Sequence, residues 1–192
     1  DPKTAWALKH REQFPVDLNR APDDIDWGMV ERTSGPAPTV ARSPGRRAPS
    51  GLGLVPRRLP VLGEIWRGRL REDDIAARIA AIHQPYHDAI GRALADMRAR
   101  WGAALLLDLH SMPSLARQGG QPAAEFVLGD RFGTSCHGSI VARAFAHFGM
   151  AGRPAAHNRP YAGGFVLDRH ADVPGGVHAL QIEIDRASYL DA

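Results

Sequence analysis

Three short stretches of this chain carry side chains that could do chemistry. In LLLDLHSMPS an apolar run ends in Asp108, His110 and Ser111. If the run is a strand, its period of two puts Asp108 and His110 on one side. They would then stand at the strand's carboxyl end, where open α/β sheets place their ligands. A histidine there can offer a ring nitrogen to a metal while a neighbouring carboxylate fixes its tautomer. The same residues also suit a satisfied, buried histidine that caps a loop, and the pattern leaves both open.

The second stretch, VHALQIEIDR, alternates as a strand does. His178, Leu180, Ile182 and Ile184 fall on one face, and Ala179, Gln181, Glu183 and Asp185 on the other. If Glu183 faces a cleft, burial would raise its pKa and suit it to take a proton from water. Gln181 and Asp185 argue instead for an edge strand with a solvated acidic face. In the third stretch, VDLNR, Arg20 just past a short apolar strand could clamp a carboxylate with its planar fork. Asp and Asn there equally favour a plain turn.

Other candidates are weaker. His83 and His87 stand four apart, but HQPYH has no Glu after the first His and carries Pro85 between them, so a helical zinc site is disfavoured. Gly129 to Gly133 with Thr134 and Ser135 resembles an anion-cradling loop without the spacing or the Lys of a P-loop. Cys136 beside His137 does not make a nucleophile pair, because adjacent residues rarely present their side chains to each other.

The elements that must position these residues can be read from periodicity. Asp1 to Phe14 suggests a short helix. Residues 33–53, rich in Pro, Gly, Ser and Arg, read as one long loop. GLGLVPRRLPVLGEIW suggests short extended pieces around its prolines. Ile75, Ile79 and Ile82 recur at helical spacing behind acidic residues that suit a helix N-terminus. Pro85 should leave Gln84 non-helical or kinked. Ile90, Leu94, Met97 and Trp101 continue a helical pattern that Gly102 stops. The apolar run through Leu107 predicts a strand buried on both faces. A strand over Glu125 to Leu128, a helix over Ser139 to Phe148, a loop with a short strand in HNRPYAGGFVLDRH and the GVHALQIEID strand complete the list. Helices alternating with buried strands imply an α/β three-layer architecture.

Composition narrows the class of protein. The chain has 192 residues, 44% hydrophobic and 23% charged, which suits one domain over 1–192. A formal charge of +3, with no basic stripe interleaved with aromatics, gives no case for nucleic acid. No apolar run approaches the roughly 18–20 residues of a membrane helix. The single cysteine excludes an internal disulfide and a Cys-rich zinc site and fits a cytoplasmic protein.

Taken in order, VDLNRAPDDID, PYHDAI, LLLDLHSMPS, FVLGDRFGTSC, NRPYAGGFVLDRH and GVHALQIEIDRASYLDA resemble the N-formylglutamate amidohydrolase family from Val16 onward. The resemblance implies a zinc carboxypeptidase-like fold, with a mixed, mostly parallel sheet between helices. It implies one zinc ion (or another divalent metal) with His110 as a ligand, and Glu183 as the catalytic general acid/base. It implies Asn19 and Arg20 as the pair that holds a substrate carboxylate, and places Tyr161 in the region of a mobile substrate tyrosine. Charge complementarity suggests Arg131 or Arg159 for a side-chain carboxylate. The activity it implies is hydrolysis of a small N-acyl amino acid, N-formyl-L-glutamate first, in histidine degradation. A carboxypeptidase, another deacylase or an inactive carboxylate-binding module is the alternative. The family's early metal-binding segment has no counterpart before Val16, and its helix after SYLDA is also missing. The expectation is a chain that is part of a longer protein. Oligomeric state is not legible.

Overall fold

A computed structural model of the chain describes residues 16–32, 47–59, 63–64, 66, 68–117 and 122–190. The expected helix at Asp1 to Phe14 and most of the long loop over 33–53 lie outside the described residues; residues 48–50 of that loop form a short 3-10 turn. The chain divides into two compact units, Asp1–Ala89 and Ile90–Ala192.

In the first unit, Val16, Ile25, Val30, Leu54 and Ile75 form the core. β1 (Val30–Glu31) pairs in parallel with β4 (Leu70–Arg71), and β2 (Arg58–Leu59) with β3 (Gly63–Glu64) is an antiparallel ribbon. The expected strand at VDLNR is a turn. Its Asp17 carboxylate accepts the Asn19 N–H, which favours a turn over a ladder. Helix α1 (Glu72–Arg78) opens on Glu72, Asp73 and Asp74, whose charges suit its positive end.

The expected break before Pro85 takes another form. Ile79–His83 make one wide π turn, with the Gln84 N–H reaching back to the Ile79 carbonyl, and α2 (Gln84–Trp101) then runs on through Pro85. The widened turn accommodates a residue that lacks an N–H and crowds the preceding turn. It also changes which residues face inward. In a regular α-helix each step of four residues advances about 40° past a full turn. The wider π turn cancels part of that drift, so Ile75, Ile79, His83 and His87 follow one inner stripe while Ile82 is left 39% exposed. Gly102, with φ 77°, ends α2 as expected.

The second unit is built on a four-stranded mixed sheet of order β5-β8-β6-β7: β5 (Ala104–Met112), β6 (Phe126–Gly129), β7 (Ala155–His157) and β8 (Val177–Asp185). β5 with β8 and β6 with β7 are parallel, and β6 runs antiparallel to β8. Helix α3 (Gly138–Met150) packs on the face that carries Leu128, Leu180 and Ile182. Helix α4 (Phe165–His170), within the HNRPYAGGFVLDRH stretch expected to be a loop with a short strand, covers the opposite face through Val166, Leu167 and Ala179. From the second unit's part of α2, Ile90 and Leu94 pack with Ala104 and Val177. Helices on both faces of a mostly parallel sheet give the expected three-layer α/β arrangement.

Two sequence readings are overturned. β8 is not an edge strand with a solvated acidic face: it lies between β5 and β6, and Gln181, Glu183 and Asp185 are buried. β5 is not buried on both faces either: it is an edge strand among the described residues, and Leu105, Leu107 and Leu109, on the same face as Leu180 and Ile182, remain exposed. No helix among the described residues is long and apolar enough to cross a membrane.

Gly129, on β6 opposite Gln181, is required by a close backbone approach. A Cβ there would stand 2.7 Å from the Ala162 carbonyl carbon and 2.8 Å from the Gly163 nitrogen. Gly129→Ala should therefore cost on the order of 1–3 kcal/mol, read as a lower denaturation midpoint at unchanged m-value. An unchanged midpoint would show that the 162–163 backbone yields freely.

Candidate active site

The parallel register of β5 and β8 sets Asp108 beside Gln181 and His110 beside Glu183. Register partners point to the same face, so one side of the sheet carries an imidazole, two carboxylates and an amide at the carboxyl ends of both strands. His110 Nε2 lies 2.9 Å from Asp108 Oδ2. Gln181 Nε2 donates to Glu183 Oε1 at 2.9 Å. Glu183 is 7% exposed, and its pKa is raised above the ordinary carboxylate range. Burial is the main cause. The Asp108 charge adds to it, while His110 and Arg186 oppose it. At the strand's end Asp185 is structural: its carboxylate accepts from Ser114 Oγ and from the Ala187 N–H.

The other expected site residues are placed as follows. Arg131 donates to both oxygens of Asp168, from Nε at 2.6 Å and Nη2 at 2.8 Å, so its fork is engaged by a partner of this chain. Arg159 is exposed and, with Leu115, Pro122, Ala124, Pro154 and Ala156 among others, lines a cavity of about 750 Å³. Ala156 stands in the sheet row Ala156, Val127, Glu183, His110. Two strand spacings put that wall about 10 Å from Glu183. Tyr161 is half-buried in the loop that follows.

Asn19 and Arg20 belong to the first unit. There Arg20 Nε donates to the Leu52 carbonyl and Nη1 to the Asn19 carbonyl, each at 2.9 Å, and Asp17 Oδ2 lies 3.7 Å from Nε. Nη2 makes no hydrogen bond within the described residues. His83 and His87, set aside as zinc ligands, are buried against this turn: His83 Nε2 donates to the Arg20 carbonyl at 2.9 Å and His87 Nε2 to the Leu18 carbonyl at 3.0 Å. Their spacing of four was visible, but only the fold supplies the partners.

The GDRFGTSC loop is held by its own acid. The buried Asp130 carboxylate accepts from Gly133 N and Asn158 Nδ2 and lies 3.1 Å from His157 Nε2. Cys136 is buried, and its thiol is pushed up to about 11, chiefly by burial with the Asp130 charge adding, which removes it as a nucleophile at neutral pH.

A catalytic zinc takes three protein ligands. His110 with Asp108 against its ring has the form of an oriented ligand, and Asp108 Oδ2 is buried without a well-aligned hydrogen bond. No group of three or more His, Cys, Asp or Glu converges among the described residues. Those residues alone do not meet the donor count.

The Glu183 environment has a consequence for stability. Its folded-state pKa lies above the unfolded value, so folding favours the protonated acid, and stability is lost as pH rises and the carboxyl ionises. Glu183→Gln is neutral at every pH and can still accept from Gln181. Its melting temperature should exceed that of the parent near neutral pH, and the difference should shrink towards about pH 4. Thermal melts across that range that run parallel would contradict the burial of an ionised Glu183.

The family model for N-formylglutamate amidohydrolase matches residues 5–190. The N-formylglutamate deformylase of Pseudomonas aeruginosa is 29% identical over 189 residues, which is 95% of this chain and 63% of that protein. The N-formylglutamate deformylase of Pseudomonas putida is 29% identical over 186 residues, 93% of this chain and 61% of that protein. The solved N-formylglutamate amidohydrolase of Ralstonia eutropha JMP134 superposes with a TM-score of 0.80 at 34% identity, over 92% of this chain and 64% of that one. A gene product of Agrobacterium tumefaciens, at TM-score 0.57, 20% identity and coverage of 90% and 57%, is alike in fold alone. The chain thus spans less than two thirds of the length of each of these relatives.

Proposed function

Because the chain belongs to the N-formylglutamate amidohydrolase family, we propose that it hydrolyses the amide of a small N-acyl amino acid, N-formyl-L-glutamate first. The observation that carries the reading is the juxtaposition of His110 and Glu183 on neighbouring parallel strands, with Glu183 buried and its pKa raised. A carboxylate with a raised pKa is a stronger base than a solvated one and holds the proton it takes more firmly until the leaving amine claims it.

The chain's own residues then act in sequence. Ionised Glu183 takes a proton from a water as the water oxygen bonds to the formyl carbon. The carbonyl π-electrons move to the oxygen. When the C–N bond breaks, the proton held on Glu183 goes to the departing amine, and glutamate and formate leave. Gln181 holds Glu183 Oε1 in place through this cycle. Zinc belongs to the reading as well. When bound, it would supply Lewis acidity to water and carbonyl, with His110 as the one ligand that the resemblance assigns here. Asn19 and Arg20 are assigned the substrate's α-carboxylate, a role that suits a guanidinium whose Nε and Nη1 are fixed by backbone carbonyls and whose Nη2 has no hydrogen bond among the described residues. Arg159, the one charged side chain among the described residues that line the cavity, suits the side-chain carboxylate.

Glu183→Gln should lower kcat for N-formyl-L-glutamate by about 10²–10⁴-fold. The wild-type kcat/KM should fall on the acid side of an inflection that lies above the ordinary carboxylate range. Retained turnover in Glu183→Gln would remove its assigned role, and hydrolysis of peptides in place of the formyl substrate would move the reading to a carboxypeptidase. Elemental analysis of the full-length protein, with whatever ligands lie beyond the described residues, should find zinc near one equivalent, falling sharply in His110→Ala. Equal metal in both would remove His110 as a ligand.

A further inference from the structure

The DLNR turn is closed by its own hydrogen bonds, and its outward carbonyls are held by side chains more than sixty residues away in sequence. Val16 to Arg20 form no strand, and the N–H groups of Asp17, Asn19 and Arg20 donate to the Leu54 carbonyl, the Asp17 carboxylate and the Asp17 carbonyl. Two imidazoles meet the carbonyls that these bonds leave over. His83 donates from Nε2 to the Arg20 carbonyl, and His87 donates from Nε2 to the Leu18 carbonyl. The carbonyls belong to alternate residues and bracket Asn19. The donors are one helical turn apart, with ring centroids 4.4 Å from each other. Both rings are almost fully buried, at 3% and 4% exposure. They lie on the stripe that the π turn of Ile79–His83 brings inward, and single π turns within α-helices are often found at functional sites.

We propose that His83 and His87 are positioning residues for the substrate's carboxylate. They clamp the backbone on either side of Asn19 and so fix the direction in which the Arg20 guanidinium points. The two histidines touch no substrate. They act through the turn, and the inference rests on the reading that Asn19 and Arg20 bind the substrate.

Holding a binding group in place acts on the ground state and the transition state alike, so its loss appears in KM and not in kcat. Replacement of either histidine by Leu removes the donor and leaves a buried carbonyl unmatched. KM for N-formyl-L-glutamate should rise about tenfold, with kcat within about twofold of wild type. Gln places an amide N–H four bonds from Cα, as His Nε2 is placed, whereas the amide of Asn is one bond shorter. His87→Gln should therefore restore KM and His87→Asn should not, a contrast that holds even if the Leu variants fail to fold. Arg20→Ala is the reference, expected to raise KM at least as far.

If Arg20→Ala raises KM while the His87 series changes only the melting temperature, this inference is overturned and the parent reading stands. If Arg20→Ala leaves KM unchanged, the carboxylate role falls and this inference with it. A raised KM in the Asn and Leu variants, with recovery in the Gln variant, supports it.

Discussion

The register between β5 and β8 is the constraint on which the candidate site depends. Each strand alone presents two faces, and neither sequence defines a site. Pairing them in parallel with His110 against Glu183 puts the imidazole, both carboxylates and the Gln181 amide on a single face. The register is kept by the layers on either side. Ala179 packs under α4 while Leu180 and Ile182 pack under α3, so a slip of one residue would drive Glu183 into an apolar helix layer. The hydrophobic cores thus decide where the charge sits.

That placement sets the electrostatics. A carboxylate held between helix layers loses much of its hydration, and a second carboxylate nearby adds to the cost of its ionisation. The fold tolerates this because the apolar rows on both sides of the sheet contribute more than one strained acid removes. The contrast with Asp130 is instructive. It is as deeply buried, yet it is met by an amide, an imidazole and a backbone N–H, and it serves to hold a loop. The same chemical group has two uses, set by how many donors surround it.

Much of this was legible in the sequence. Alternation in VHALQIEID assigned every residue of β8 to its correct face, the run before His110 was a strand, and Gly102 stopped α2. That β8 lies inside the sheet was not legible, because Gln181 and Asp185 look solvated until β5 and β6 are known to flank the strand. FVLDRH is too short for its periodicity to reveal a helix. Likewise Ile82 matched the helical spacing better than His83, and only the π turn reverses that order. The polar turn in VDLNR was legible from its Asp and Asn, though the short strand expected before it is absent; what no local pattern contains is the pair of donors from residues 83 and 87.

The leucine row of β5 has a bearing on how the molecule behaves in concentrated solution. Leu105, Leu107 and Leu109 are side by side on one face of an edge strand whose outer backbone groups have no strand partner among the described residues. Such an edge is adhesive, since a second extended segment can add to it and bury the row as it does so. The row points away from the face that bears Asp108 and His110. Self-association through it would therefore change colloidal behaviour while leaving the reacting groups uncovered, and the quantity of soluble protein would be no measure of the quality of its site.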